Sequence, residues 1–594
     1  MFTTRPTLQG TFGMVSSTHW LASQSAMAVL EGGGNAFDAA VAAGFVLHVV
    51  EPHLNGPGGE VPIVFAAADG GGRVQVLCGQ GPAPAGATVD HYRSLGLDLV
   101  PGTGPVSAAV PGAFDAWMVL LRDHGTKSLA EVLDYAIGYA ERGHPLLPQV
   151  TRTVETVREL FETEWTGSAE LYLPAPQPGA LFRNPALAAT WRRLLAETAG
   201  LPREAAIEAA RRIWREGFIG EAILESAARP ALDSSGRRHA STLTGDDLAG
   251  YRAGYEEPAV HEWNGWEVCK AGGWSQGPAF LQQLALLPHG LAYDAPEYRH
   301  TLIEGTKLAM ADREAWYGDA GPGGAAGSVP LSDLLSREYN DQRRELIGDT
   351  ASYELRPGSP GGRKPVLPEL PAGDASAGPG TGEPTVSVDG LTTRPSGGTR
   401  GDTCHLDVVD RWGNMVAATP SGGWLQSNPV IPALGFPLGT RLQMTWLQPG
   451  LPNSLTPGRR PRTTLSPSLA RREGEPVLAF GTPGGDQQDQ WSLHFFLAVA
   501  LGGLTLQAAI DEPNWHTDSF PSSFHPRTTE PGSVTVESRA GEAAFAELRR
   551  RGHLVTVGDA WSEGRLCTVA RDPRTGVLSA AANPRGMQGY AVGR

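Results

Sequence analysis

The chain has 594 residues, of which 41% are hydrophobic and 19% charged, enough apolar material for a large core and so for a globular fold. A formal net charge of −15, with dispersed lysines and arginines, argues against a general affinity for nucleic acid or anionic membrane. Cys78, Cys269, Cys404 and Cys567 lie far apart without CxxC spacing, which suggests neither a zinc knuckle nor a disulfide framework and fits reduced thiols in the cytoplasm; no apolar run reads as a signal peptide or a membrane span.

In chain order, Leu21 to Leu30 has helical apolar spacing and stops at Gly32-Gly33-Gly34, and Asn35 then caps an Ala-rich helix, Ala36 to Val50, that ends at Pro52. Residues near 61 to 78 read as two strands around Asp69-Gly70-Gly71-Gly72, and Val110-Pro111-Gly112 leads into another helix. From about 128 to 320 helical patterns dominate, including an amphipathic run from Thr301 to Trp316. Residues 357 to 400 are rich in Pro, Gly, Ser and Thr; they cannot bury enough apolar surface to fold and are predicted to be loose. The remainder returns to strands, interrupted by an apolar helix from Trp491 to Leu501. Strands at both ends with helices between them imply one sheet system assembled from distant pieces.

Thr403 follows the loose segment and opens a hairpin. Thr403 to Val409 alternates, Asp410-Arg411-Trp412-Gly413-Asn414 has turn chemistry, and Met415 to Ser421 returns. A pairing symmetric about Trp412 sets Ser421 opposite Thr403, where its hydroxyl can orient the threonine Oγ; an alcohol of very high pKa needs such help to act as a nucleophile. Further on, Phe480 to Asp486 joins a strand (Pro476 to Phe480) to a helix from about Gln488. There Gly484 and Gly485 leave two backbone N–H groups at a helix N-terminus, donors suited to an oxyanion. Arg462-Thr463-Thr464-Leu465-Ser466-Pro467 places two adjacent hydroxyls at the entry to a strand.

One rival is Gly273-Trp274-Ser275-Gln276-Gly277, which matches the G-x-S-x-G elbow of serine hydrolases. Against it, Pro278 follows just where helix amides should be free, and no HGGG-type segment precedes it. The histidines show no HExxH or paired-ligand spacing, and no Walker or dinucleotide fingerprint occurs, so neither a metal nor a cofactor is expected.

Together these segments resemble the gamma-glutamyltranspeptidase family of N-terminal-nucleophile hydrolases, over nearly the whole chain. The resemblance is carried by Gly33-Gly34-Asn35-Ala36-Phe37-Asp38, Val50-Glu51-Pro52-His53, Val110-Pro111-Gly112, Leu243-Thr244 with Asp247 to Tyr251, and Lys307 to Arg313. It continues through Asp402-Thr403-Cys404-His405, Gly484-Gly485 and Asn583-Pro584-Arg585. It implies an α+β fold, a four-layer αββα sandwich made as a precursor. Thr403 Oγ would attack the carbonyl of Asp402, leaving a large subunit of residues 1 to 402 and a small one of 403 to 594 as a heterodimer. The freed α-amine of Thr403 would then be the general base, with Gly484 and Gly485 holding the oxyanion.

The sequence also departs from the family. Cys404 replaces the usual second Thr. Gln80 or a neighbouring Gly stands where the family has a glutamate-binding Arg, and Thr445 and Trp446 replace its acidic pair. Thr463 and Thr464 keep hydroxyls where the family has two serines, and Arg441 is a candidate anion clamp or else a surface salt-bridge partner. The expected substrate is therefore a small molecule with an amide or related acyl bond, cleaved by hydrolysis or acyl transfer, and not an ordinary γ-glutamyl donor. Cleavage of an oxalyl-type or C–C bond is the alternative chemistry, and an unprocessed, noncatalytic binding or scaffold homologue is the alternative class.

Overall fold

The computed structural model of the protein describes residues 2–321, 329–370 and 403–594. Its principal strands from the first half of the chain are β1 (Leu8–Gly10), β2 (Gly13–Ser17), β3 (Val61–Ala66), β4 (Val74–Gly79), β5 (Gly254–Glu256), β6 (Ala259–Trp263) and β7 (Trp266–Lys270). From the second half come β8 (Leu406–Asp410), β9 (Met415–Ala418), β10 (Ser468–Arg472), β11 (Glu475–Gly481), β12 (Cys567–Arg571), β13 (Leu578–Ala582) and β14 (Tyr590–Gly593). They form two 7-stranded sheets, in the orders β1-β13-β12-β11-β10-β7-β6 and β14-β2-β8-β9-β3-β4-β5. Each sheet mixes strands from both ends of the sequence.

The residues along each strand sort alternately into two cores, as the period of a strand requires. On β8, Leu406 and Val408 join the apolar cluster of α1 (Trp20–Glu31), α2 (Ala36–Val50), α3 (Ala113–His124) and α4 (Leu129–Arg142). Val409 points the other way, into a cluster between the sheets with Val64 and Met415 from its own sheet and Leu469, Ala479 and Val569 from the other. On β11, Leu478 and Phe480 instead face α5 (Gly277–Ala285), α6 (Tyr298–Trp316) and α7 (Gln488–Ala500). The layers are thus helices, sheet, sheet, helices, the αββα sandwich expected.

Local chemistry explains the elements that read clearly in sequence. Asn35 Oδ1 accepts from the N–H groups of Phe37 and Asp38, and Asp38 accepts in return from Asn35 N at 2.9 Å, a complete capping box at the start of α2. Three expectations change. The stretch from 128 to 320 contains β5, β6 and β7, short strands that were hidden among helical patterns. The run Thr301 to Trp316 belongs to α6, which is buried on all sides and not amphipathic, because it is sandwiched between further segments. The start of the segment predicted to be loose is largely exposed but anchored at points: Gly358 donates to buried Asp312 at 2.6 Å and accepts from Trp316 Nε1 at 3.1 Å, and Glu369 N donates to Gln448. Residues 371 to 402, including Asp402, lie outside the described residues. Among the described residues no helix is long and apolar enough to cross a membrane.

Candidate active site

The hairpin β8–β9 is set by its turn. Asp410 Oδ1 accepts from the N–H groups of Trp412, Gly413 and Asn414 at 3.0 Å each, while Oδ2 accepts from Ala36 N at 2.9 Å, tying the turn to the start of α2. The register pairs Leu406 with Ala418 and Val409 with Met415, and at the open end Thr403 bridges Ser421. Regular strand starts only at Leu406, so Thr403 stands just before it.

Thr403 is 1% exposed, and its Oγ1 lies 3.1 Å from Ser421 Oγ. Ser421 is held on its other side by Glu60: Glu60 N donates to Ser421 O at 2.9 Å and Ser421 N donates to Glu60 O at 3.0 Å. Arg441 completes the group. Its Nη2 donates to Ser421 Oγ at 3.1 Å and its Nε to Glu60 Oε1 at 2.6 Å. Arg441 is buried and ion-paired, which overturns its reading as a surface salt-bridge partner; the cause is the short helical turn at Arg441–Met444, which turns the side chain inward over the Trp424 ring. Nothing in the sequence marked Glu60, which lies in an unpatterned Gly-Pro-Gly-Gly-Glu stretch before β3.

Two buried pairs flank the threonine. Cys404 donates to Glu51, and burial followed by the Glu51 charge pushes its thiol well above the ordinary range. His405 contacts Thr419 Oγ1 at 2.9 Å and Asp407 Oδ1 at 3.0 Å between the sheets; burial raises the Asp407 carboxyl to about 6, with His405 acting against that rise. The His405 ring packs so closely on Gly481 that a Cβ there would sit 2.3 Å from it, which brings the end of β11 against the start of the hairpin.

Beyond Gly481 the chain turns into α7. Gly484 has φ 134°, and a Cβ on it would meet the Trp491 ring at 2.2 Å, so only glycine fits. Among the described residues, neither Gly484 N–H nor Gly485 N–H has an acceptor. The next residue anchors the loop: Asp486 pairs with Arg313 and accepts from Ser523 Oγ at 2.6 Å and Ser523 N at 2.7 Å. The Thr463-Thr464 segment is tied to the same helix start, because Ser466 Oγ donates to Asp489 at 2.6 Å and Lys270 pairs with Asp489 at 3.1 Å.

The remaining predicted residues are buried and differently engaged. Thr463 donates its N–H to Trp274 O at 2.9 Å, and Thr464 Oγ1 is buried without a partner among the described residues. Gln80 follows β4, donating to Gly81 O at 3.2 Å, with Oε1 unpartnered among the described residues. Trp446 lies 4.3 Å under the Arg527 guanidinium. The rival Ser275 is a local cap, donating to Gly272 O at 3.0 Å and accepting from Gly277 N at 3.0 Å. A cluster of metal-ligand type is assembled from distant parts of the chain: ligand atoms of His300, Glu304 and His553 lie within 4.8 Å of one another. Its surroundings are cationic, with Glu304 bonded to Lys307 at 2.7 Å and Arg356 at 3.1 Å, and His300 Nδ1 meets His553 Nε2 directly at 2.8 Å.

A fold of two stacked sheets with a threonine at the open end of a buried hairpin agrees with the comparison to known families. The family model for gamma-glutamyltranspeptidase matches residues 22–593, and the chain belongs to that family. It is an amide-cleaving N-terminal-nucleophile hydrolase of the proenzyme type. Individually, it is similar to the glutathione hydrolase-like YwrD proenzyme of Bacillus subtilis (strain 168), 30% identical over 98% of this chain and 99% of that one. It is also similar to the oxamate amidohydrolase proenzyme of Klebsiella pneumoniae subsp. pneumoniae, 30% identical over 98% of each chain. Among solved structures, LmbA2991HD is 71% identical with a TM-score of 0.93 and full coverage of both chains. Cephalosporin acylase from Bacillus halodurans is 27% identical with a TM-score of 0.81, covering 100% of this chain and 97% of that one.

Proposed function

We propose that Thr403 both cuts the precursor and serves as the nucleophile of the mature enzyme, which acts on a small amide or oxalyl-type acyl donor that lacks a glutamate head-group. The observation that carries this reading is the 3.1 Å contact between Thr403 Oγ1 and Ser421 Oγ at the buried end of the hairpin. In maturation Thr403 Oγ attacks the carbonyl carbon of Asp402; the C–N bond breaks as the C–O bond forms, and water hydrolyses the ester. The products are a large subunit, residues 1 to 402, and a small subunit, 403 to 594, that stay together as a heterodimer. Four free, buried cysteines suit a reducing cytoplasm.

In turnover the new α-amine, with an ordinary pKa of about 7.7 to 8.0, takes the Oγ proton near neutrality. Thr403 Oγ bonds to the substrate carbonyl carbon, and the oxyanion is met by the N–H groups of Gly484 and Gly485, which have no acceptor among the described residues. The α-ammonium returns its proton to the leaving amine, and water then releases the acyl group. Neither glutamate anchor is present: Gln80 offers a neutral amide, and Trp446 is packed on Arg527. A substrate α-carboxylate or α-ammonium desolvated without a partner costs several kcal/mol. That penalty selects against γ-glutamyl donors, and the relative named for oxamate indicates how small the acyl group can be.

The test is to assay the processed protein on oxamate and other short oxalyl amides beside L-γ-glutamyl-p-nitroanilide, with Thr403→Ala as the blank. Turnover of an oxalyl amide that the blank lacks, at a kcat/KM about 100-fold above the γ-glutamyl compound, is expected. A preference for the γ-glutamyl compound would contradict the reading.

A further inference from the structure

Behind Ser421 stands a buried ion pair that the reaction as described does not use. Glu60 and Arg441 are both nearly inaccessible, with side chains 4% and 1% exposed. The guanidinium gives Nε and Nη2 to the Glu60 carboxylate, Nη2 also to Ser421 Oγ at 3.1 Å, and Nη1 to Met444 Sδ at 3.1 Å, with its carbon 5.2 Å above the Trp424 ring. The chain is built tightly around the carboxylate. Gly422 has φ 74°, and a Cβ there would stand 2.6 Å from Glu60 Oε2. A buried ion pair is a weak source of stability compared with apolar side chains of the same volume. Its placement against the residue that faces the nucleophile therefore calls for another role.

We propose that Glu60 and Arg441 are positioning residues that fix Ser421 as a hydrogen-bond donor to Thr403 Oγ and so stabilise that oxygen as it loses its proton. The inference rests on Thr403 being the nucleophile. Guanidinium N–H groups only donate, so Ser421 Oγ accepts from Arg441. Ser421 has a single proton, and when Thr403 Oγ becomes an anion it can only accept. For Ser421 to bond that anion its proton must point at Thr403, and a cation on the far lone pair of Ser421 strengthens that bond. Glu60 sets the plane of the guanidinium through two N–H groups and balances its charge. With its charge matched by a carboxylate already in place, Arg441 is a poor clamp for a substrate anion, and its effect reaches the reaction through Ser421.

A double-mutant cycle on the full precursor and on the processed enzyme tests this: first-order self-cleavage rates, kcat and KM for wild type, Arg441→Lys, Ser421→Ala and the double variant. Arg441→Lys alone is expected to slow cleavage and lower kcat about 10-fold at unchanged KM, and Ser421→Ala about 100-fold. In the Ser421→Ala background, Arg441→Lys is expected to change either rate by less than about 2-fold. Effects that multiply, a rise in KM at unchanged kcat, or a wild-type rate in Arg441→Lys would each overturn the proposal. Glu60→Gln, which keeps the shape of the side chain and removes its charge, provides the same reading if Arg441→Lys does not accumulate as folded protein. Failure of the underlying reading is separately visible, because Thr403→Ala would then still be cleaved.

Discussion

Cys404 Sγ donates to Glu51 Oε2 across 2.9 Å, one residue beyond Thr403. Glu51 also accepts from Thr18 Oγ1 at 2.7 Å and from Gln588, and Asn55 Nδ2 donates to Cys404 Sγ at 3.1 Å. The thiol thus fills the place of a hydroxyl donor in a closed buried network, and burial and Glu51 keep it protonated. Cys404→Thr is expected to mature at least as fast as wild type, since a hydroxyl can make the same bond. Cys404→Val leaves Glu51 one donor short and is expected to cost about 1–3 kcal/mol. Urea denaturation and the cleavage rate check both, and native protein should resist maleimide until it is unfolded.

His516 lies edge-on to Trp491, the ring on which Gly484 rests, and is flanked by Glu563 and Asp518. Burial opposes its charge, but the two carboxylates prevail and raise its pKa to about 9. The folded value exceeds the unfolded value of about 6.5, so the contribution to stability is complete below pH 6.5 and is lost as pH rises through 9. Its size is on the order of 3 kcal/mol. Melting temperatures measured from pH 6 to 10 should fall more steeply for wild type than for His516→Asn; parallel curves would remove His516 from the account.

Gly484→Ala adds a Cβ where the Trp491 ring already stands, at a φ of 134° that a side chain rarely adopts. The loop must move, and on the proposed reading its N–H groups then leave the oxyanion. A fall in kcat of about 100-fold or more with little change in KM is expected from steady-state kinetics.

Grafting the family's anchors back should fail. Trp446 is 1% exposed beneath Arg527, and Arg527 donates to the carbonyls of Gln443 and Thr445 at 3.1 Å and 3.0 Å. Trp446→Asp removes a buried ring and is expected to cost about 3–5 kcal/mol. Combined with Gln80→Arg, it should yield no increase in γ-glutamyl-p-nitroanilide turnover, read against thermal stability in the same preparation.

The fold was legible where side chains speak locally. Asn35 and Asp38 announce α2, and the alternation on either side of Asp410-Arg411-Trp412-Gly413-Asn414 set the register that puts Ser421 across from Thr403. The Gly484-Gly485 loop could be placed because a strand pattern runs into a helix pattern there. What sequence could not convey was long-range closure. Glu60 meets Ser421 and Arg441 only because β3, the hairpin and a short helical turn converge, and His300 likewise meets His553 across a long stretch of chain. Strands β5 to β7 were missed because they are only three to five residues long and lie among helical patterns.

The central claim is that Thr403 cuts its own chain. Denaturing electrophoresis with intact mass and N-terminal sequencing, on wild type beside Thr403→Ala, tests it most directly. The account predicts a wild-type small fragment that begins Thr-Cys-His-Leu and is absent from the variant. A wild-type chain that stays whole after long incubation, or a fragment that begins at another residue, would contradict it.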